Sequence, residues 1–202
     1  MDGNGFNQAF KETSLTHIIM INPNILFGSI MLLVACIIAI FNYKFGALKD
    51  SCSGAVKNKP YSFGRVQLSW WTMIVFSSFA ACIFVTKQLP NLDPTILGLL
   101  GIAGGTTLLS TVIDSGKKQE TSIEESRGFF PDILNNGDMH RLQLLLFNTV
   151  IGMWLILQVA HNLSTPLTDK FTVDNVIPSI PQYILVLIGG SSALYLGCKT
   201  QE

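Results

Sequence analysis

Five stretches of the chain are continuously apolar, and its charged residues are confined to the segments between them. The stretches cover 25–41, 66–86, 95–113, 142–160 and 182–198, and none contains Asp, Glu, Lys or Arg. At 1.5 Å per residue, about 20 mostly apolar residues cross the ~30 Å hydrocarbon core of a bilayer. The pattern therefore predicts an all-α, polytopic transmembrane protein with five helices. Pro94 and Pro181 stand just before the third and fifth stretches. A missing N–H is harmless there, because the first helical N–H groups have no partner within the helix.

Cations set the expected direction. With the N-terminus outside, the inner segments hold Lys44, Lys49, Lys57, Lys59, Arg65, Lys117, Lys118, Arg127, Arg141 and Lys199, and the outer ones only Lys11, Lys87 and Lys170. That asymmetry predicts an N-out/C-in arrangement. The first 24 residues lack a basic leader, and Asn22-Pro23-Asn24 interrupts the apolar run. The first span is therefore expected to persist as a signal-anchor.

An internal duplication emerges on comparing the spans. Gly64-Arg65-Val66-Gln67-Leu68 matches His140-Arg141-Leu142-Gln143-Leu144 at an offset of 76. Leu99-Leu100-Gly101-Ile102-Ala103 matches Leu187-Ile188-Gly189-Gly190-Ser191 at an offset of 88, with a longer outer loop in the second copy. The expected organisation is an exterior N-terminal segment (1–24), a leading helix with its inside loop (25–60), hairpin repeat 1 (61–113), an inside loop (114–138) and hairpin repeat 2 (139–202). Both hairpins start and finish inside, so the repeats are parallel, about an axis along the membrane normal.

Over residues 61–202 the chain resembles a family of bacterial inner-membrane proteins of uncharacterised function built on duplicated hairpins. The likeness rests on Arg65, Gln67, Trp71 and Thr72, on Leu100-Gly101-Ile102-Ala103-Gly104-Gly105-Thr106, on His140-Arg141-Leu142-Gln143 and on Tyr195-Leu196-Gly197-Cys198-Lys199. Phe147-Asn148 replaces the second Trp-Thr pair, and Gly190 and Leu194 replace an Ile and a Thr. The resemblance implies the hairpin architecture and a bacterial inner membrane, and it implies no activity.

Composition narrows the function. Only 13% of residues are charged, the formal net charge is zero and mean hydropathy is +0.43. No overall basic field recruits nucleic acid. The four cysteines form no CxxC, and no metal or cofactor is expected. HExxH, GxSxG and P-loop patterns are absent, so no catalytic residue is assigned and the protein is not expected to be an enzyme. Cys52, in a Ser-rich inner loop, is read as a reduced thiol, and His140 and His161 as interfacial residues.

Two sets of residues carry the functional expectation. Gly98, Gly101 and Gly105 in the third span, with Gly189, Ala193 and Gly197 in the fifth, have the spacing of helix-packing grooves. Thr106 and Ser110, with Asp114 one turn further on, share a helix face. Together with Asn148 and Gln158 they are candidates for a pore-lining or solute-facing role. Arg65 and Arg141 are read as inner-mouth cations, anchored by snorkelling beside Trp70 and Trp71 in an aromatic belt. Ser122 and Glu125 could form a capping box, with the apolar stretch Phe129–Leu134 touching the membrane surface or a partner.

The expected function is that of a non-enzymatic membrane protein that self-assembles or packs with a membrane-protein partner, a pore being one outcome. The alternative is a small-solute or ion transporter or channel with its own path. An intramembrane enzyme is the third class. Membrane lipid and a homo-oligomeric or membrane-protein partner are expected.

Overall fold

A computed structural model describes residues 22–50, 59–117, 126–134, 138–165 and 172–200. It is helical throughout, with an isolated bridge between Lys49 and Tyr61 as the one extended pairing among the described residues. Five long helices fall where the apolar stretches predict them: α1 Pro23–Phe45, α2 Phe63–Thr86, α3 Pro94–Lys117, α5 Met139–Leu163 and α6 Gln182–Lys199. A six-residue helix, α4 Phe129–Leu134, lies between α3 and α5.

Local sequence fixes the helix ends. Asn22 caps α1, its side chain accepting the Asn24 N–H at 3.0 Å, and Pro23 takes the first position. The helix stops at Gly46, whose φ of 64° is a left-handed conformation that glycine adopts without a Cβ clash. Asp93 opens α3: its Oδ1 accepts the Thr95 backbone N–H at 2.8 Å and the Thr95 hydroxyl at 2.5 Å. Those two bonds, the hydroxyl first, hold its carboxyl below its ordinary pKa.

Four helices close a ring in which α2 packs on α3, α3 on α6, α6 on α5 and α5 on α2, while α1 lies outside against α2 and α5. The interior is filled with fully buried Trp71, Ile74, Ile96, Leu99, Leu155, Val159 and Ile188. Large apolar side chains such as Leu32, Leu33, Leu108, Val150 and Val186 point outward. Exposure of that kind suits a lipid solvent and not water. Four helices are long and apolar enough to cross a membrane: Pro23–Phe45, Phe63–Thr86, Pro94–Ile113 and Met139–Leu163. They mark an integral membrane protein. The remaining long helix, α6, falls outside that set.

Both ends of the ring are capped by connections. At the end opposite the C-terminus, residues 172–181 fold inward, burying Val173, Val176, Ile177 and Ile180 in the core. Asn162 donates to the carbonyls of Asn175 and Val176 at 3.0 and 3.1 Å, and Asp174 accepts from the Asn91 backbone and side chain at 2.8 and 3.2 Å. At the C-terminal end, α4 buries Ile133 against Phe63, Leu144 and Tyr195. The proposed capping residues Ser122 and Glu125 lie outside the described residues, as do Cys52 and the side chain of Asp114.

Candidate functional site

Two polar clusters sit inside the bundle. In the first, α2 presents Gln67, Trp70 and Trp71 to Asn148 on α5. The Asn148 side-chain oxygen accepts the Trp71 indole N–H at 2.6 Å and the Gln67 amide at 3.3 Å, and its own amide donates to the Leu144 carbonyl at 2.6 Å. The Trp70 indole donates to the Asn148 backbone carbonyl at 3.1 Å. Gly152, one turn further along α5, makes room for that ring: a Cβ there would stand 2.5 Å from the indole nitrogen. Trp71 is fully buried and Trp70 half-buried, so the aromatic belt expected of this pair is not formed. Their N–H groups find an acceptor in the core, where an indole is otherwise expensive to bury.

The second cluster joins α3, α5 and α6 at the C-terminal end. The Lys199 ammonium donates to the Ser110 hydroxyl at 2.6 Å, and that hydroxyl lies 3.4 Å from the Tyr195 hydroxyl. The Arg141 guanidinium lies over the Tyr195 ring at 5.4 Å and the Lys199 ammonium at 5.9 Å, both within cation–π range. Arg141 Nε also lies 3.6 Å from Asp138. Arg141, expected to snorkel at an inner mouth, is instead 7% exposed. Arg65 is half-buried and its Nη1 donates to the Lys49 carbonyl at 2.6 Å, tying the 46–50 segment to α2. The two arginines therefore stand in different structures and form no common ring within one chain.

The remaining polar candidates are also engaged. The Thr106 hydroxyl bonds back to the Ile102 carbonyl at 2.8 Å, an ordinary way for a helix hydroxyl to satisfy itself. Gln158 donates to Asn162 at 3.2 Å and so supports the residue that holds the 172–181 segment. His161 is exposed, and no three His, Cys, Asp or Glu side chains converge among the described residues. A shallow cleft of about 260 Å³ between the ends of α2 and α5 is lined by Thr86, Asn162, Leu163, Ser164 and Val176.

The small residues divide into two groups. Gly98 and Gly189 face across the α3–α6 contact, where a Cβ would meet Leu185 at 3.5 Å and Ile102 at 3.6 Å respectively. Further along α3 the contact opens, and a Cβ on Gly101 or Gly105 would meet nothing within 4 Å. Gly197 is equally open, and Ala193 beside it is exposed. The tightest glycine contacts are elsewhere, at Gly152 and at Gly64, where a Cβ would lie 3.1 Å from the Thr107 Cα. Spacing alone did not single out Gly64 or Gly152, because each answers one bulky neighbour and not a repeated groove. Positions matched in the duplication also differ in setting: Gln67 is buried and Gln143 exposed, Gly101 faces outward and Gly189 faces Ile102.

No family model, no curated protein and no solved structure matches the chain.

Proposed function

We propose that this is a non-enzymatic integral membrane protein that assembles with a second copy of itself, or with a partner membrane protein, through the outward small-residue faces of α3 and α6. The observation that carries the reading is the idle glycines. At Gly101, Gly104 and Gly105 on α3, and at Gly190 and Gly197 on α6, an added Cβ would meet no atom within 4 Å beyond the adjoining residues and backbone of its own helix. A glycine inside a helix gives up about 1 kcal/mol relative to alanine. Among the described residues no contact uses the space gained, whereas a helix from another chain could approach it backbone to backbone. Leu97, Leu108 and Val112 flank the α3 face, and Val186 and Leu194 the α6 face. These supply the ridges that would pack beside such grooves.

The same reading takes α6 as a fifth span, with the N-terminus out, the C-terminus in and the two hairpins as a duplicated unit of a bacterial inner-membrane protein. The lopsided cation distribution and the likeness to duplicated-hairpin proteins support it. A solute path through one chain finds less support. Asn148, Gln158, Thr106 and Ser110 each make a bond within the chain, and the ring interior is filled by Trp71, Leu99 and Leu155.

The test is the mass of the nanodisc-bound particle for the native chain and for Gly105→Leu. The native chain is expected to form a multimer, or to co-purify with one stoichiometric membrane partner. The variant is expected to keep its thermal unfolding profile and fall to a single 22.1 kDa chain. A native monomer without a partner, or an unchanged assembly in the variant, would overturn the proposal.

A further inference from the structure

We propose that α4 lies in the headgroup layer of an anionic leaflet, with Phe129 and Phe130 inserted among the lipids and Arg127 and Lys59 facing their phosphates. The fold fixes how α4 is presented. Its Asp132 carboxylate accepts the Tyr61 N–H at 3.1 Å, the Ser126 hydroxyl at 2.6 Å and the Arg127 N–H at 2.9 Å. Ile133 is 1% exposed, so one face is pinned to the bundle. One turn before it, Phe130 at 67% and Phe129 at 40% exposure are left uncovered by the bundle. The two rings touch edge-on, and Phe129 meets Tyr61 edge-on at 5.1 Å, so three aromatics form one row.

Depth argues for lipid as the occupant. Ile133 packs against Leu144 and Tyr195, which lie five residues inside the start of α5 and four before the end of α6. That is about 6–8 Å along each axis, the level at which spanning helices leave the hydrocarbon. Exposed aromatic rings are favoured at that level, with their faces in the acyl boundary.

Charge argues for an anionic leaflet. Among residues whose side chains are described, this end presents Lys44, Lys59, Arg65 and Arg127 at or near its surface against Asp50, Asp132 and Asp138, with Lys49, Arg141 and Lys199 buried behind them. The other end carries Lys87 against Asp93 and Asp174. Arg127 is exposed, and Lys59 and Arg65 are half-buried close in sequence to Tyr61. A basic surface beside inserted aromatics is drawn to the negative potential of acidic lipids.

The experiment uses the full chain in nanodiscs of phosphatidylcholine mixed with phosphatidylglycerol. A nitroxide is placed at Phe130→Cys in a background carrying Cys36→Ser, Cys52→Ser, Cys82→Ala and Cys198→Ser, checked for native thermal unfolding. Its relative accessibility to oxygen and to a water-soluble nickel chelate reads its depth. Retained lipids are counted by native mass spectrometry for the native chain and for Arg127→Gln/Lys59→Gln. The expected result is a label at headgroup depth and a several-fold retention of phosphatidylglycerol over phosphatidylcholine that the double variant loses. A label in bulk water, a label shielded from both relaxants by a protein contact, or equal retention of the two lipids would overturn the inference. Assembly through α3 and α6 would survive any of those outcomes, since the two surfaces are separate.

Discussion

At the scale of single residues, an uncharged amide, Asn148, ties α5 to α2. One side chain accepts from two α2 side chains and also satisfies a carbonyl of its own helix. Asn148→Ala would leave the Trp71 indole and the Gln67 amide without an acceptor. An orphaned buried polar group costs about 1–3 kcal/mol. Interhelical bonds in membranes average nearer 0.6 kcal/mol, because the unfolded chain finds other partners there. The expected loss is therefore about 1–2 kcal/mol in mixed-micelle unfolding, with a red-shifted Trp emission; an unchanged midpoint would show that the contact contributes nothing net. Asp93 gives a pH-dependent counterpart. Its pKa is lowered in the folded chain, so its contribution is complete at neutral pH and disappears as pH falls through the folded value. Asp93→Asn keeps a side-chain oxygen but does not titrate. The native chain should thus lose thermal stability relative to this variant only below about pH 4, and a difference that stays constant as pH falls below that point would refute the assignment.

At the scale of elements, α2 and α5 meet where Trp70 lies over Gly152. Gly152→Ala sets a gain of about 1 kcal/mol in helix propensity against overpacking that typically costs about 1–3 kcal/mol. The Cβ would stand 2.8 Å from two ring carbons as well as against the indole nitrogen, so the clash should win. In a Trp70→Leu background the same substitution should become neutral or stabilising. A double-mutant cycle in detergent unfolding measures that sign change. Additive effects would mean that the ring moves aside without penalty. The outward glycines of α3 give the opposite expectation within a monomer, since Gly105→Leu meets empty space.

At the scale of the whole molecule, the ring is closed at both ends by its own connections. The 172–181 segment is held by Asp174 to Asn91, by Asn162, and by the Ile180 N–H donating to Thr95 at 2.9 Å. Asp174→Ala removes one of these ties and leaves the buried Val173, Val176 and Ile177 to hold the rest. Hydrogen exchange at 172–180 should accelerate while α2 and α5 stay protected, because a loop opens locally when its anchors weaken. Uniform acceleration throughout the bundle would show instead that the segment and the helices open as one unit.

The sequence by itself determined where the long helices run, because each needs an unbroken apolar stretch bounded by Pro, Gly or a polar cap. It also marked a membrane as the solvent, through 13% charged residues and exposed apolar length. Some of the candidate site was legible there too, since Asn148 and Gln158 stand out as polar residues in an apolar span. Which partners they would meet was not legible, because bonds such as Trp71 to Asn148 join residues 77 apart and depend on how α2 and α5 rotate about their axes. Small-residue spacing likewise says that a groove exists but not which way it faces. Only the tertiary structure set Gly98 and Gly189 against a neighbouring helix and left Gly101 and Gly105 uncovered, placed Arg141 over the Tyr195 ring and buried Trp71. Apolar length is a one-dimensional property that a chain carries along its sequence. Azimuth is not: it is decided by shape and hydrogen-bond complementarity among helices that meet only after folding.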